Sequence, residues 1–205
     1  MLLHRNSASR QRLKITYDAP YRSWDSKSRA KEAQIMTRDQ KIVGVGAASG
    51  VTAMVTAIAG IYQLWPTNPS LADGSSRLAY ALQADAFAVL PLLIGIMTVG
   101  NSRFLSEAID PTLHKEDLGT QINCRVVENT LQQYLLFLIG TLALSVNLTA
   151  EQMRAIPAAA LVFIVARIAF WIGYRIHPLY RAFGMAATGY LNVGILAFAL
   201  WRTLH

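Results

Sequence analysis

The chain has 205 residues, of which 53% are hydrophobic and 15% charged, and its formal net charge is +7. Its single cysteine, Cys124, excludes a disulfide framework within one chain and any cysteine-based metal site. The four scattered histidines show no ligand spacing, so we expect no metal site.

Residues 1–41 concentrate the positive charge. They hold ten of the nineteen Lys and Arg residues against four acidic ones, with little apolar periodicity. We predict a poorly ordered cytoplasmic tail. One interpretation of this positive charge is that the tail binds nucleic acid or a partner protein. We favour attraction to anionic lipid headgroups, because basic flanks are typical of membrane proteins, and we expect no nucleic acid as a partner.

Five long apolar blocks follow the tail. A stretch of about 20 apolar residues crosses a bilayer core as a helix, so each block predicts a transmembrane helix. The sequence therefore predicts an all-α, multi-pass integral membrane protein whose lipid partner is the bilayer itself. The blocks are Ile42 to Leu64, Leu78 to Gly100, Gln133 to Ala150, Ala155 to Tyr174 and Ala182 to Trp201.

The distribution of basic residues between the blocks predicts the orientation. The positive-inside rule places the N-terminus in the cytoplasm and the C-terminus on the opposite side. Arg103, Arg125 and Arg181 then arrive at the same membrane face. Three guanidinium groups at one depth favour an anionic ligand or headgroup, although for any single one an ordinary interfacial arginine is the better interpretation.

Two polar stripes interrupt the apolar blocks. In "CRVVENTLQQYLLFLIG", Arg125, Asn129 and Gln132 fall at i, i+4 and i+7, which is one face of a helix. In "ARIAFWIGYRIHPLYRAFG", Arg167 and Tyr174 share a face in the same way. Polar groups on a membrane helix are costly unless they meet partners, a cavity or a ligand.

Two charged residues, Asp85 and Arg167, lie deep within apolar blocks. Asp85 and Glu128 are the anions available to Arg167. A buried ion pair that fixes helix packing is therefore the structural interpretation of these charges, and a functional polar site is the alternative.

Both stripes resemble motifs of a known family. "RVVENTLQ", residues 125–132, resembles the Arg-x-x-x-Asn-x-x-Glu motif of the MAPEG family, the membrane-associated proteins of eicosanoid and glutathione metabolism. "ARIAFWIGY", with Arg181 seven residues after Tyr174, is similar to that family's Arg-x-x-Tyr-x-x-Gly-Tyr segment and downstream arginine. The resemblance covers a four-helix domain at 78–203. The extra helix at 42–64 and the basic tail resemble the five-helix, mattrin-like branch.

The resemblance implies a homotrimer that holds glutathione, as a cosubstrate, between neighbouring subunits near the cytosolic side. It implies that Arg181 stabilises the glutathione thiolate, since a neighbouring cation lowers the pKa of a thiol. The residues that match the family's glutathione contacts are Arg103 (from the loop after the family's first helix), Arg125, Asn129, Gln132 and Tyr174.

Two residues depart from the family pattern. Gln132 stands where the family usually has Glu, so the acceptor for the ligand's amino group is neutral. Phe170 stands where many members have Tyr, which removes one hydroxyl group from the site.

Two functions fit these features. The first is a glutathione transferase or peroxidase that acts on lipophilic electrophiles or lipid peroxides from the bilayer. The second is a non-catalytic relative, a trimeric scaffold or lipid-binding protein. A channel or transporter fits less well, because the sequence shows no repeated pattern of broken helices.

Overall fold

A computed structural model describes residues 37–113 and 115–205; the predicted tail, up to residue 36, lies outside the described residues. Within them the structure contains helices and no strand. Short 3₁₀ turns at Glu107–Ile109, Pro111–Leu113 and Gln152–Arg154 connect some of the helices. The six α-helices are α1 (Arg38–Leu64), α2 (Gly74–Ala88), α3 (Leu90–Phe104), α4 (Leu118–Asn147), α5 (Ala155–Ile176) and α6 (Ala182–Leu204).

These helices form five spans that are long and apolar enough to cross a membrane, which confirms the predicted all-α membrane fold. One span, Gly74–Phe104, combines α2 and α3. The two helices meet at Val89, and Pro91 lies in the first turn of α3. Proline lacks the N–H of a helix interior, which explains why the helix is interrupted at this point.

Hydrogen-bonding residues, not hydropathy, set where helices α1, α2 and α4 begin. Thr37 and Gln40 form a reciprocal capping box, so α1 begins at Arg38, a turn before the predicted Ile42. The carboxylate of Asp73 caps α2 and that of Asp117 caps α4. Hydrogen bonds from Ser75 and Ser76 hold the pKa of Asp73 below its usual range, and bonds from Thr120 do the same for the pKa of Asp117.

Small residues allow the helix backbones to approach closely. A Cβ atom on Gly184 of α6 would lie 2.4 Å from the carbonyl oxygen of Ala166 in α5. A Cβ atom on Gly50 of α1 would lie 2.2 Å from the carbonyl oxygen of Phe183 in α6. Glycine is therefore required at both contacts.

The helices alternate in direction between two ends of the bundle. We call the end where α3 and α5 finish, and where α4 and α6 begin, the arginine end, because it carries Arg103, Arg125, Arg175 and Arg181. We call the other the distal end. The core between them includes the stacked rings of Phe137 and Phe163, whose centroids lie 4.6 Å apart.

Candidate functional site

The arginine end gathers three of the residues singled out by the sequence. Tyr174 is buried, and the guanidinium carbon of Arg181 lies 4.9 Å from the centre of its ring. The side chain of Arg125 also neighbours Tyr174. Arg125 and Arg181 are both exposed, and neither forms an ion pair within residues 37–113 and 115–205. Two cations without carboxylate partners therefore flank a tyrosine.

Arg103 lies at the same end but has a partner. It sits in the last turn of α3, not in the following loop, and its Nη2 is 2.6 Å from Oε1 of Glu116. The same nitrogen is 3.6 Å from Sγ of Cys124. Glu116, Cys124 and Arg125, with Gln121, line a polar cleft of about 350 Å³. The charge of Arg103 is thus largely compensated within the chain.

The polar stripe of α4 divides between the surface and the interior. Asn129 is half-buried, and its Oδ1 accepts a 2.8 Å hydrogen bond from Nη1 of Arg167. Gln132 is exposed and its side chain forms no hydrogen bond within the part of the chain that the structure describes. Three residues of this stripe were predicted to bind one ligand, but only Arg125 and Gln132 are exposed and free to contact it.

Arg167 is 1% exposed and is surrounded by neutral groups. Its Nη2 donates to Oγ1 of Thr188 at 2.6 Å and to the carbonyl oxygen of Gly184 at 3.3 Å. Its guanidinium carbon lies 4.3 Å from the centre of the Phe170 ring. The interpretation of Arg167 as half of an ion pair with Asp85 or Glu128 is wrong, because amide, hydroxyl and carbonyl oxygens take the place of a carboxylate.

Asp85 is equally buried and bonds elsewhere. The hydroxyl of Thr141 lies 3.0 and 2.9 Å from its two carboxyl oxygens, which links α2 to α4. The hydroxyl of Tyr134 donates to the backbone carbonyl of Asp85 at 3.2 Å. Glu128 is exposed. The two intramembrane charges therefore stabilise two separate helix contacts.

A line of aromatic contacts joins the buried arginine to the exposed cluster. The rings of Phe170 and Tyr174 meet edge to face at 5.9 Å between centroids, below Arg181. Arg167 contacts the other ring of this pair, Phe170. Cations attract the faces of aromatic rings. Phe170 therefore connects Tyr174 to the buried hydrogen-bond network of Arg167.

Several polar contacts that connect the helices were not predicted from the sequence. Oδ1 of Asn123 accepts from Nε1 of Trp171 at 2.9 Å and from Nη1 of Arg175 at 3.3 Å. Nδ2 of Asn192 donates to the backbone oxygen and Oε1 of Gln133, both at 2.9 Å. An asparagine within an apolar block, as in α6, was the signal available in the sequence.

The fold and its cluster define a multi-pass helical membrane protein with a cationic site at one end. Residues 78–201 match the MAPEG family, and the chain belongs to that family. This match confirms the resemblance carried by the two motifs. The residues of α1 lie outside the matched range.

Among curated proteins, the chain is similar to Transmembrane protein 79 of Mus musculus, with 25% identity over 147 residues, and to that of Bos taurus, with 26% identity over 144 residues. These alignments cover 71% and 70% of this chain but only 37% and 35% of the relatives. The chain therefore aligns with little more than a third of their length. No solved structure matches it.

Proposed function

We propose that this protein binds glutathione at its arginine end and uses the thiol on lipophilic electrophiles or lipid peroxides from the bilayer. The observation that supports this proposal is the pair of exposed arginines, Arg125 and Arg181, beside Tyr174. Glutathione carries two carboxylates and a thiol, so a site with uncompensated cations suits it. Membership of the MAPEG family favours this ligand over other anions.

Each residue of the cluster has a chemical role in this proposal. Arg125 binds a carboxylate of glutathione through charge-assisted hydrogen bonds. Arg181 lies beside the sulfur and favours its thiolate form, which is the nucleophile. Tyr174, held between the two, orients the ligand through its hydroxyl. Gln132 accepts a hydrogen bond from the ligand's ammonium group.

The other matched residues act less directly. Arg103 reaches a ligand carboxylate only by sharing its guanidinium with Glu116. Asn129 supports the site through Arg167, since its Oδ1 already accepts from that side chain. These two positions therefore contribute less to ligand affinity than Arg125.

The chemistry is nucleophilic attack by the thiolate. With an electrophilic carbon, a carbon–sulfur bond forms, and the displaced electron pair leaves with its group or takes a proton from water. With a lipid hydroperoxide, two glutathione molecules give a disulfide, an alcohol and water. Embedding the site in membrane helices gives such lipophilic substrates direct access from the bilayer.

The proposal includes a homotrimer with the arginine end in the cytoplasm. Arg125 and Gln132 are exposed on a helix face that also exposes Leu131 and Leu135, where a neighbouring subunit would cover both ligand and apolar surface. The basic residues at this end support a cytoplasmic N-terminus and a C-terminus on the opposite side.

A non-catalytic trimeric scaffold or lipid-binding protein is the second candidate. It is favoured by the contacts of Arg103 and Asn129, both of which are already satisfied within the chain. In that case Arg125 and Arg181 bind the anionic headgroup of a lipid.

Calorimetry on the full chain in detergent, titrated with reduced glutathione, tests the proposal. We expect saturable binding and an ultraviolet thiolate signal. Arg125→Ala should weaken binding at least about tenfold, the effect of losing a charge-assisted bond. Arg181→Ala should remove the thiolate signal. Arg38→Ala, which removes an exposed cation at the same end, is the control and should change neither.

The outcomes separate the two candidates. Binding with a thiolate signal that depends on Arg181 supports a transferase or peroxidase. Binding without that signal indicates a protein that holds the ligand without activating it. Absence of binding refutes the glutathione proposal and leaves the scaffold.

A further inference from the structure

The helix outside the family match, α1, forms an apolar groove with the rest of the bundle. Its inner compartment has a volume of about 310 Å³ and lies between α1, α5 and α6. An outer compartment of about 210 Å³ lies nearer the distal end, between Trp65 and helices α2 and α5. Leu161 lines both, so the compartments adjoin.

The two compartments differ in chemistry. The inner one is lined only by glycine and apolar side chains, with Gly50, Ala53 and Ala57 forming a smooth wall on α1. The outer one adds two polar side chains, Tyr80 and Gln83. The groove therefore changes from hydrocarbon to neutral polar groups along its length.

The polar groups of the outer compartment have unused hydrogen-bonding capacity. Nε1 of Trp65 donates to the hydroxyl oxygen of Tyr80 at 3.1 Å, which leaves the hydroxyl proton of Tyr80 available. The amide of Gln83 forms no hydrogen bond within residues 37–113 and 115–205. Together they offer both donors and an acceptor, the combination that binds a hydroxyl group.

No charged residue lines either compartment. Arg77 and Arg154, near the distal end, lie outside both linings: Arg77 donates to the carbonyl oxygen of Ala72 at 2.8 Å, and Nη2 of Arg154 lies 3.4 Å from Oε1 of Glu151. An anionic headgroup inside the groove would therefore meet no cation in its lining. The charge pattern thus selects an uncharged polar group, in contrast to the arginine end.

The groove also has a defined length and depth. Its wall on α1 extends from Gly50 to Trp65, about 22 Å at the rise of an α-helix. One leaflet contributes about 15 Å of the hydrocarbon core. Trp65 and Tyr80 mark the membrane interface, where such aromatic residues collect. A lipid with its polar group there needs a long, straight apolar body to fill the groove beyond the midplane.

We infer that this groove binds an uncharged bilayer lipid of the sterol type, with its hydroxyl between Tyr80 and Gln83 and its apolar body along α1. The groove shares no lining residue with the cluster of Arg125, Arg181 and Tyr174 at the arginine end. Failure of glutathione binding leaves this inference intact, and the reverse also holds.

Photolabelling tests the inference. The full chain is reconstituted in vesicles with a sterol that carries a photoreactive diazirine and an alkyne tag, and labelled peptides are mapped by mass spectrometry. We expect labels on α1 and α5 along the groove. Ala53→Trp fills the inner compartment and should lower labelling about tenfold, whereas Ala59→Trp, on an exposed part of α1 outside the groove, should not.

Further measurements test whether a variant has lost labelling because it is unfolded, and whether the groove binds a different kind of lipid. The unfolding temperatures of both tryptophan variants are measured in parallel, and Gln83→Leu, which keeps the volume but removes the amide, should also weaken labelling. Labelling spread evenly over the lipid-facing helices overturns the inference. So does equal sensitivity to Ala53→Trp and Ala59→Trp, or equal competition by anionic phosphatidylglycerol.

Discussion

Helices α1 and α5 are both apolar and long enough to cross a membrane, yet they occupy different environments. In the most apolar window of α5, 56% of the residues are buried within the protein, against 11% for α1. Any helix that crosses a bilayer is apolar, so its hydropathy does not indicate whether its neighbours are lipid or other helices. Close backbone approach and polar contacts decide which helix belongs to the core.

This difference in burial predicts how the protein responds to substitutions in each of the two helices. Helix α5 packs between α2, α4 and α6 and carries Arg167, whereas α1 meets mainly α6 and one side of α5. We therefore expect damage at α5 to lower the stability of the whole bundle and damage at α1 to remain local. Three experiments test this contrast, and a fourth compares the caps of α1 and α4.

The largest effect is expected for Gly184→Ala. The new Cβ atom would overlap backbone atoms of Ala166 and Phe170, which cannot move without separating α5 from α6. We expect a loss of about 3 kcal/mol of unfolding free energy, measured by thermal unfolding in detergent. Gly194→Ala in the same helix meets open space and is the control. Equal stability of the two variants would contradict the close α5–α6 contact.

Arg167→Met should have the next largest effect. It removes the donor to Asn129, Thr188 and the carbonyl of Gly184. The Gly184 carbonyl still accepts from Thr188, but Oδ1 of Asn129 loses its partner, at a cost of about 2 kcal/mol. The same unfolding assay measures it. Arg175→Met, at an exposed position on the same helix, should cost much less. A fully stable Arg167→Met would show that the neutral network does not stabilise the core.

Gly50→Ala should have a smaller and local effect. Its Cβ atom overlaps the Phe183 carbonyl as severely as that of Gly184→Ala overlaps α5. Because α1 is held on few sides, we expect it to move away while α2–α6 remain folded. Hydrogen exchange should rise in α1 alone, and Gly60→Ala should leave it unchanged. Loss of protection throughout the bundle would remove the distinction between α1 and the core.

The smallest effect concerns the caps of α1 and α4 and depends on pH. The folded-state pKa of Asp117 lies below its usual value near 3.9, so its stabilisation is complete above that pH and is lost as the pH falls through the folded-state value. The Thr37 cap of α1 carries no titrating group. Between pH 6 and about pH 3, the hydrogen-exchange protection factors, which correct for the intrinsic pH dependence of exchange, should fall in the first turn of α4 but not of α1. Asp117→Asn should remove the difference.

The sequence predicted most of the fold because membrane helices must satisfy their own backbone. Long apolar blocks marked all five spans. The family motifs correctly identified a domain that matches from residue 78. The starts of α1 and α4 were placed too late, since capping residues extend a helix into the polar region beyond the apolar block.

The partners of the buried charges could not be predicted in the same way. Carboxylate residues can be identified directly from a sequence, so Asp85 and Glu128 were the evident partners for Arg167. It contains many hydroxyls, amides and carbonyls, and nothing in it singles out Thr188 and Asn129 from the rest. Only the packing of α4, α5 and α6 decides which neutral oxygens meet the guanidinium.

The contacts of Arg167 also bear on the order in which the protein is made. Asn129 precedes this arginine in the chain, but Gly184 and Thr188 are synthesised after it. An arginine at the centre of a lone helix costs about 3 kcal/mol to insert into a membrane. Until α6 emerges from the ribosome, Arg167 of α5 therefore lacks two of its three hydrogen-bond partners. The last two helices are best delivered to the bilayer together, as a hairpin.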